Sequence, residues 1–363
     1  MDMRKRKSAF SIKYKMILGI GIPLLLVLSV IGTALCIEIT STVEGLKRAE
    51  IQLETKTASE QINTFFQPFF VSAAQIADID SVYDLIVESN ANPTAKIKDS
   101  ETFDLVMNEL QQAKENQNSA LLSICVASTK GKQLVVSDGS VLDNYDTESR
   151  GWYQKVKQAG GNEILSPAYV DAVTGELIVT VGSGIWKGSE LIGAVAFDVS
   201  LDGLTQEMAN ISIGDNGFIT VYDSDGYIIY HPVSDLIMTH MDQVGYNTEM
   251  YNALVSTSSS EAISYEHDGD EYFGAVEYMN DISWNVMGCM TRDEFLNEVT
   301  RMTILVVSSF LFCALLLMII TVVMSLTIVR PIQVLDGVTT QLAEGNLDVT
   351  VNVVILPPVF PRL

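Results

Sequence analysis

The densest chemistry in this sequence lies between Tyr145 and Asp198. It reads Tyr145-Asp-Thr-Glu-Ser-Arg150-Gly-Trp152-Tyr153, continues through Pro167-Ala-Tyr169-Val-Asp171, and closes at Asp198. Arg150 is the only arginine between Arg48 and Arg292, in a segment otherwise dominated by acids. A guanidinium is the natural partner of a carboxylate, because its planar fork makes two parallel charge-assisted hydrogen bonds. Trp152 adds an indole N–H donor, and Tyr145, Tyr153 and Tyr169 add hydroxyls on apolar rings. Asp171 and Asp198 supply negative charge. One arginine set against two aspartates complements a zwitterion, with its carboxylate on Arg150 and its ammonium on the acids. A plainer reading stays open on these residues alone. In it, Arg150 pairs at the surface with Glu148 or Asp146, Trp152 and Tyr153 are core, and Asp171 caps the turn that follows it.

Such a constellation needs a scaffold, and the hydrophobic pattern supplies one. From Glu38 to about Asp78, apolar residues recur at helical spacing (Val43, Leu46, Ile51, Leu53, Ile62, Phe65, Phe66), which predicts one long helix. Shorter helices are expected at Ser81–Glu88 and Glu101–Glu115. Strands are expected at Leu121–Ala127, Gln133–Ser137, Glu163–Leu165, Glu176–Trp186 and Leu191–Val199, with a helix at Ser149–Gln158 closed by Gly160-Gly161. After a helical stretch at Leu201–Ala209, a second and smaller set begins. It comprises Gly217–Tyr222, Tyr227–His231, a short helix at Thr248–Ser256, and strands at Glu261–Glu266, Glu271–Tyr278 and Ser283–Met290. The expected class is α+β, with two antiparallel sheets following a long N-terminal helix.

Charge divides the 363 residues sharply. The chain carries a formal net charge of −23, yet the first 37 residues hold six basic side chains and one acid. Residues 38–301 alone carry −27. Two stretches without formal charge, Met16–Ile37 (22 residues) and Met302–Val329 (28 residues), are long enough to span a bilayer. The first is too long for a typical signal-peptide core and lacks a small-x-small cleavage site, so it is expected to stay as an anchor. The basic cluster before it places the N-terminus in the cytoplasm, and two crossings leave the acidic segment outside. This expectation divides the chain into a cytoplasmic N-terminus (1–15), a first span (16–37), an extracytoplasmic domain (38–301) and a second span (302–329). The strong negative charge argues against nucleic acid as a partner. Cys36 and Cys313 lie in the apolar runs, and Cys125 and Cys289 lack metal-ligand spacing, so no disulfide or metal site is expected.

Taken together, Tyr145-x4-Arg150-x-Trp152-Tyr153, Pro167-x-Tyr169-x-Asp171 and Gly193-x4-Asp198 resemble the amino-acid-binding motif of double Cache sensory domains. The resemblance covers about residues 38–301, including the Gly226-Tyr-Ile-Ile-Tyr-His231-Pro232 strand. It implies two PAS-like antiparallel-sheet subdomains, a membrane-distal one at about 79–200 holding the ligand and a membrane-proximal one at about 210–291. Arg150 and Trp152 would then hold a ligand carboxylate. Tyr153, Asp171 and Asp198 would surround the ammonium, with Tyr145 and Tyr169 closing the pocket.

Arg330-Pro331 through Val349 resembles the start of a HAMP relay, as in chemotaxis receptors, and defines a partial HAMP segment at 330–350. The match breaks off after Thr350. Val351–Leu363 holds three prolines (Pro357, Pro358, Pro361), so this aberrant tail is not expected to form the second HAMP helix. The chain therefore reads as truncated within the relay.

The resemblance implies a homodimeric, two-span chemoreceptor in the cell membrane. It would sense an L-amino acid without a cofactor, and contact with a chemotaxis kinase would belong to a full-length relative. Two alternatives are weighed beside it. The same sensor could take an amine or other small ligand and feed a histidine kinase or cyclic-dinucleotide enzyme, although Arg150 and Trp152 favour a carboxylate. An extracytoplasmic hydrolase could use Asp171 and Asp198 as paired acids. Against it, His231, His240 and His267 lie outside the motif and no nucleophile or zinc signature is present, so no enzymatic activity is expected.

Overall fold

Two antiparallel sheets follow one long helix in the computed structural model, which describes residues 19, 21–171, 174–267, 269–324, 327 and 330–344. Segments 1–15 and 345–363 and parts of both apolar runs lie outside the described residues. Helix α1 runs Ile22–Ala77, so the first apolar run and the helix expected after it are one element. Its buried residues Ile51, Ala58, Ile62, Phe66, Phe69, Ala73 and Ile76 recur every three, four or seven positions, the stripe of a helix with one face in a core.

Helices α2 (Asp80–Ala91) and α3 (Phe103–Glu115) precede a seven-stranded sheet. Its strands are β1 (Leu121–Ser128), β2 (Gln133–Val136), β3 (Val141–Asp143), β4 (Ile164–Leu165), β5 (Tyr169–Val170), β6 (Leu177–Lys187) and β7 (Glu190–Ser200). The order is β3-β2-β1-β7-β6-β4, with β5 also paired to β6. Side chains alternate across a strand, so each face collects every second residue. Ile124 and Val126 of β1 and Val195, Phe197 and Val199 of β7 share the face against α2, where Gly193 abuts Ile86. The opposite face carries Cys125, Ala127, Ala194 and Ala196, on which helix α4 (Gly151–Ala159) lays Trp152, Tyr153 and Val156. Small residues are needed there. A Cβ on Gly182 would stand 2.7 Å from Val156 Cγ2. Beyond the reach of α4, the same row of the sheet continues to Ser123, Asp198 and Thr180, and this stretch stays open as a cavity.

Helix α5 (Leu201–Met208) leads to a five-stranded sheet made of β8 (Phe218–Tyr222), β9 (Ile228–Tyr230), β10 (Ile263–His267), β11 (Asp270–Met279) and β12 (Trp284–Thr291). Their order is β10-β11-β12-β8-β9. One face meets α1, with Trp284 edge-on to Phe66 at 5.3 Å and Gly288 fitting against Thr55. The other face, built on Tyr222, Tyr265, Val276, Met287 and Cys289, is covered by α7 (Thr248–Val255), which follows the one-turn α6 (Met241–Val244). Asn247 caps α7 by accepting from Met250 N at 2.9 Å. Strands β3 and β5 and helix α6 were not expected. Each is four residues or shorter, below the length at which periodicity registers.

Helix α8 (Arg292–Met324) and the first part of α1 are each long and apolar enough to cross a membrane by length and composition. Within the unit they form, Gly32 faces Phe310, whose ring an added Cβ would approach to 3.1 Å. Helix α9 (Arg330–Ala343) leaves Ile332, Leu335 and Leu342 exposed. All four cysteines are free thiols.

Candidate functional site

The row of side chains that α4 leaves uncovered centres on Asp198. Its Oδ2 accepts from Ser123 Oγ at 2.8 Å and from Cys125 Sγ at 3.7 Å, and its Oδ1 accepts from Thr180 Oγ1 at 2.9 Å. Thr180 has one hydroxyl hydrogen and donates it to Asp198, so the 2.7 Å contact with Tyr169 must run from the tyrosine to the threonine. A directed chain results, from Tyr169 through Thr180 to Asp198. Burial raises the Asp198 carboxyl above its ordinary value, and the Asp171 charge adds to this, against the pull of the Ser123 and Thr180 hydroxyls. Among the described residues no cation pairs with Asp198. A buried carboxylate with hydrogen bonds but no counter-charge is a standing demand for a cation.

Arg150 has the opposite want. It is the residue before α4, and the β-region backbone of a helix N-cap aims it out of the helix. Its guanidinium lies over the Tyr145 ring, 4.5 Å from the centroid, and its buried Nε has no hydrogen-bond partner. The surface pairing with Glu148 or Asp146 is not seen among the described residues. Glu148 instead lies 3.4 Å from Lys157. Tyr145 is raised by burial, in part countered by the Trp152 indole and the Arg150 charge.

Arg150, Trp152, Tyr145, Tyr169, Asp171 and Asp198 line one cavity of about 640 Å³, within the range of small-ligand sites. Asp171 both lines it and caps the following turn, its Oδ2 accepting from Thr174 N at 2.8 Å and Thr174 Oγ1 at 2.9 Å. Tyr153 does not line it. One position along α4 turns its ring into the core behind Trp152, and its hydroxyl meets Thr129 Oγ1 at 2.6 Å. Residues missed in the sequence include Ser123, Thr180, Lys114 and Asp225, the last from the five-stranded sheet. Ser123 and Thr180 were detectable in principle as the strand neighbours of Asp198, once the register is known. Among the described residues, no group of three or more His, Cys, Asp or Glu is placed to hold a metal ion.

Two antiparallel sheets thus follow one long helix, with a ligand-sized cavity on the seven-stranded one. The Cache domain family model dCache_1 matches residues 40–299, and the chain belongs to that family. Among curated proteins, it is 20% identical over 308 residues to the methyl-accepting chemotaxis protein PctB of Pseudomonas aeruginosa, covering 85% of this chain and 46% of that protein. It is likewise 20% identical over 299 residues to the methyl-accepting chemotaxis protein McpC of Bacillus subtilis, covering 81% of this chain and 42% of that one. The chain therefore spans less than half the length of these relatives. Among solved structures, the sensory domain of the Campylobacter jejuni chemoreceptor Tlp3 with isoleucine bound aligns with a TM-score of 0.52 at 13% identity, over 70% of this chain and 97% of that one. The ligand-binding domain of PctB from P. aeruginosa in complex with L-Arg also gives 0.52, at 18% identity over 68% of this chain and 89% of that one.

Proposed function

We propose that this chain is the sensing part of a methyl-accepting chemotaxis receptor that binds an L-amino acid in the cavity between Arg150 and Asp198. The observation that carries this reading is the pair of unmet charges. Among the described residues, a cation over Tyr145 has an unpartnered buried Nε, and a buried carboxylate in the same cavity has no cation beside it. An amino acid satisfies both groups at once. Arg150 and the Trp152 indole take the carboxylate, and Asp198, with Asp171 and Tyr169, takes the ammonium. Tyr145 closes over the ligand, and Tyr153 holds α4 in place from behind. The relatives' names and the amino acids in the titles of the similar structures support the same reading.

The receptor sits in the membrane through α1 and α8, with the sensor outside and the basic N-terminus in the cytoplasm. It acts as a homodimer, without catalysis, and passes its signal through α9 as the start of a HAMP relay. A ligand biases that relay only by its differential affinity for two states.

The test is a thermal-shift screen of the full chain in lipid nanodiscs against the standard L-amino acids and simple amines. At a hundredfold excess over Kd, a ligand should add about 2.7 kcal/mol to stability. The ligand should be recovered unchanged. No shift with any compound would overturn the assignment, and an amine that binds as well as its amino acid would remove the carboxylate role of Arg150.

A further inference from the structure

The wall of the ligand cavity is tied on its outer side to the other sheet. Ser166 to Asp171 form that wall. Ser166 Oγ accepts from Thr180 N at 2.9 Å, and Tyr169 points into the chain that ends at Asp198. The residue before Tyr169 faces the other way: Ala168 N donates to Asp223 Oδ2 at 3.1 Å, across 55 positions of sequence. Asp223 begins the turn between β8 and β9 and is only 2% exposed. Its Oδ1 accepts from Asp225 N at 3.0 Å and from Tyr227 N at 2.9 Å, which shapes the turn. Its Oδ2 is thus left for the neighbouring sheet. Ser224 accepts from Lys155 Nζ of α4 at 2.7 Å, and Asp225 lines the cavity itself. Three consecutive residues of one turn in the five-stranded sheet therefore each reach the unit that holds the ligand.

A turn that needed only local capping would have no cause to bury its carboxylate. Burying a charged group costs free energy unless its lone pairs are filled, and here one oxygen is filled from the cavity wall. We propose that Asp223 is a positioning residue for the ligand site, fixing the Ser166–Asp171 wall against the five-stranded sheet so that this sheet registers whether the cavity is occupied. The inference rests on the amino-acid reading of that cavity. An ammonium arriving at Asp198 draws on the Tyr169–Thr180–Asp198 chain, and the peptide joining Ala168 to Tyr169 moves with it. The hydrogen bond to Asp223 then differs between the empty and the occupied state, which is what coupling between two sites requires.

The test compares the wild-type full chain with Asp223→Asn in lipid nanodiscs, by calorimetry and amide hydrogen exchange. The probe is whichever standard L-amino acid binds the wild type most tightly. The side-chain amide introduced by D223N can keep its carbonyl oxygen on the N–H groups of Asp225 and Tyr227. It then presents an N–H group to Ala168, so the change falls on the tie between the sheets. In the wild type, ligand should slow exchange across 218–231 as well as across 121–200. In D223N, slowing across 121–200 should persist and slowing across 218–231 should be lost, with affinity reduced about tenfold. Lys155→Met, which cuts the Ser224 tie and leaves the Ala168–Asp223 hydrogen bond in place, should reduce the slowing across 218–231 without abolishing it, and Asp223→Ser serves if D223N does not fold. A lowered Tm with ligand-dependent slowing undiminished across 218–231 in both variants would show a merely structural role and overturn the inference. So would wild-type slowing confined to 121–200. If the wild type binds none of the amino acids, the functional reading fails and this inference falls with it; if it binds and the variants transmit normally, the inference alone fails.

Discussion

Tyr169 donates its hydroxyl hydrogen to Thr180 at 2.7 Å, and Thr180 passes its own to Asp198, so Tyr169 and Asp198, which both line the cavity, are parts of one hydrogen-bonded chain. That direction leaves the carboxylate with acceptor capacity and no donated positive charge. It also explains why the acid can stay buried in the empty protein at all: Ser123, Thr180 and Cys125 supply partial compensation, enough to keep the site formed. Three neutral donors thus hold the acid in place and leave room on its oxygens for a further donor.

Asp198→Asn should therefore separate binding from stability. The ligand ammonium would lose its anionic partner in a buried place, at a cost of about 3 kcal/mol or on the order of a hundredfold in Kd. The empty protein should hold or gain stability, because the substitution removes a buried charge whose pKa is raised by its own desolvation. Calorimetry for Kd and thermal unfolding for stability check both halves. A variant that binds as the wild type does would place the ammonium elsewhere.

The same raised pKa sets a pH dependence. The folded protein holds the Asp198 proton more tightly than the unfolded chain, whose carboxyl titrates near 3.8. Between that value and the raised native one, lowering the pH makes this group's contribution to the stability of the empty protein more favourable. Ligand binding runs in the opposite sense, since an ammonium needs the carboxylate ionised. Affinity should fall as the pH drops through the native pKa, and binding in that window should release a proton. Calorimetric titration in buffers of different ionisation enthalpy reads the proton directly. In Asp198→Asn this proton release should vanish.

Arg150→Ala should weaken binding of amino acids by about a hundredfold or more while leaving the fold intact, since the guanidinium makes no ion pair among the described residues. Arg150→Lys should recover only part of the loss, because an ammonium cannot reproduce the planar fork or its stacking over Tyr145. Decarboxylated analogues of the best ligand should bind R150A and the wild type alike. Equal loss of both compounds in R150A would mean that the arginine shapes the cavity without touching the carboxylate.

Much of this was legible from residue type and period. The strands β6 and β7 and the helix carrying Trp152 fell within a residue or two of their expected places, because each is long enough for its pattern to show. Which residues stand beside Asp198 was not legible. Counting back from the Lys187–Glu190 pair in a regular hairpin puts Val179 opposite Asp198, whereas the irregularity between Ile185 and Trp186 shifts the register and brings Thr180 there. A one-residue slip exchanges the faces of a strand, so the partner of the central acid depended on a bulge with no sequence mark. Tyr153 was misplaced for a related reason. The resemblance implies a place for it at the ligand ammonium, but neighbouring residues on a helix point about 100° apart, and of the pair Trp152 lines the cavity while Tyr153 meets Thr129. Asp225 was out of reach, since nothing local ties the β8–β9 turn to the other sheet.

The packing of α4 on glycine offers the last test, at a residue that does not line the cavity. A Cβ on Gly182 would come within 2.7 Å of Val156 Cγ2 and 3.3 Å of Ile164 Cδ1, tighter than either neighbour can absorb without moving. Gly182→Ala should push α4 off the sheet and destabilise the protein by about 1–3 kcal/mol. Because Arg150 immediately precedes that helix and Trp152 sits on its first turn, ligand affinity should fall as well, though no ligand contact is altered. Val156→Ala alone should also destabilise, by opening a void where Gly182 now receives the side chain. Combined, the two substitutions remove two methyl groups on one side of the contact and add one on the other, so the double variant should recover stability and affinity relative to the sum of the single ones, which a double-mutant cycle measures. Strict additivity, or wild-type affinity in G182A, would mean that the helix does not set the position of Arg150.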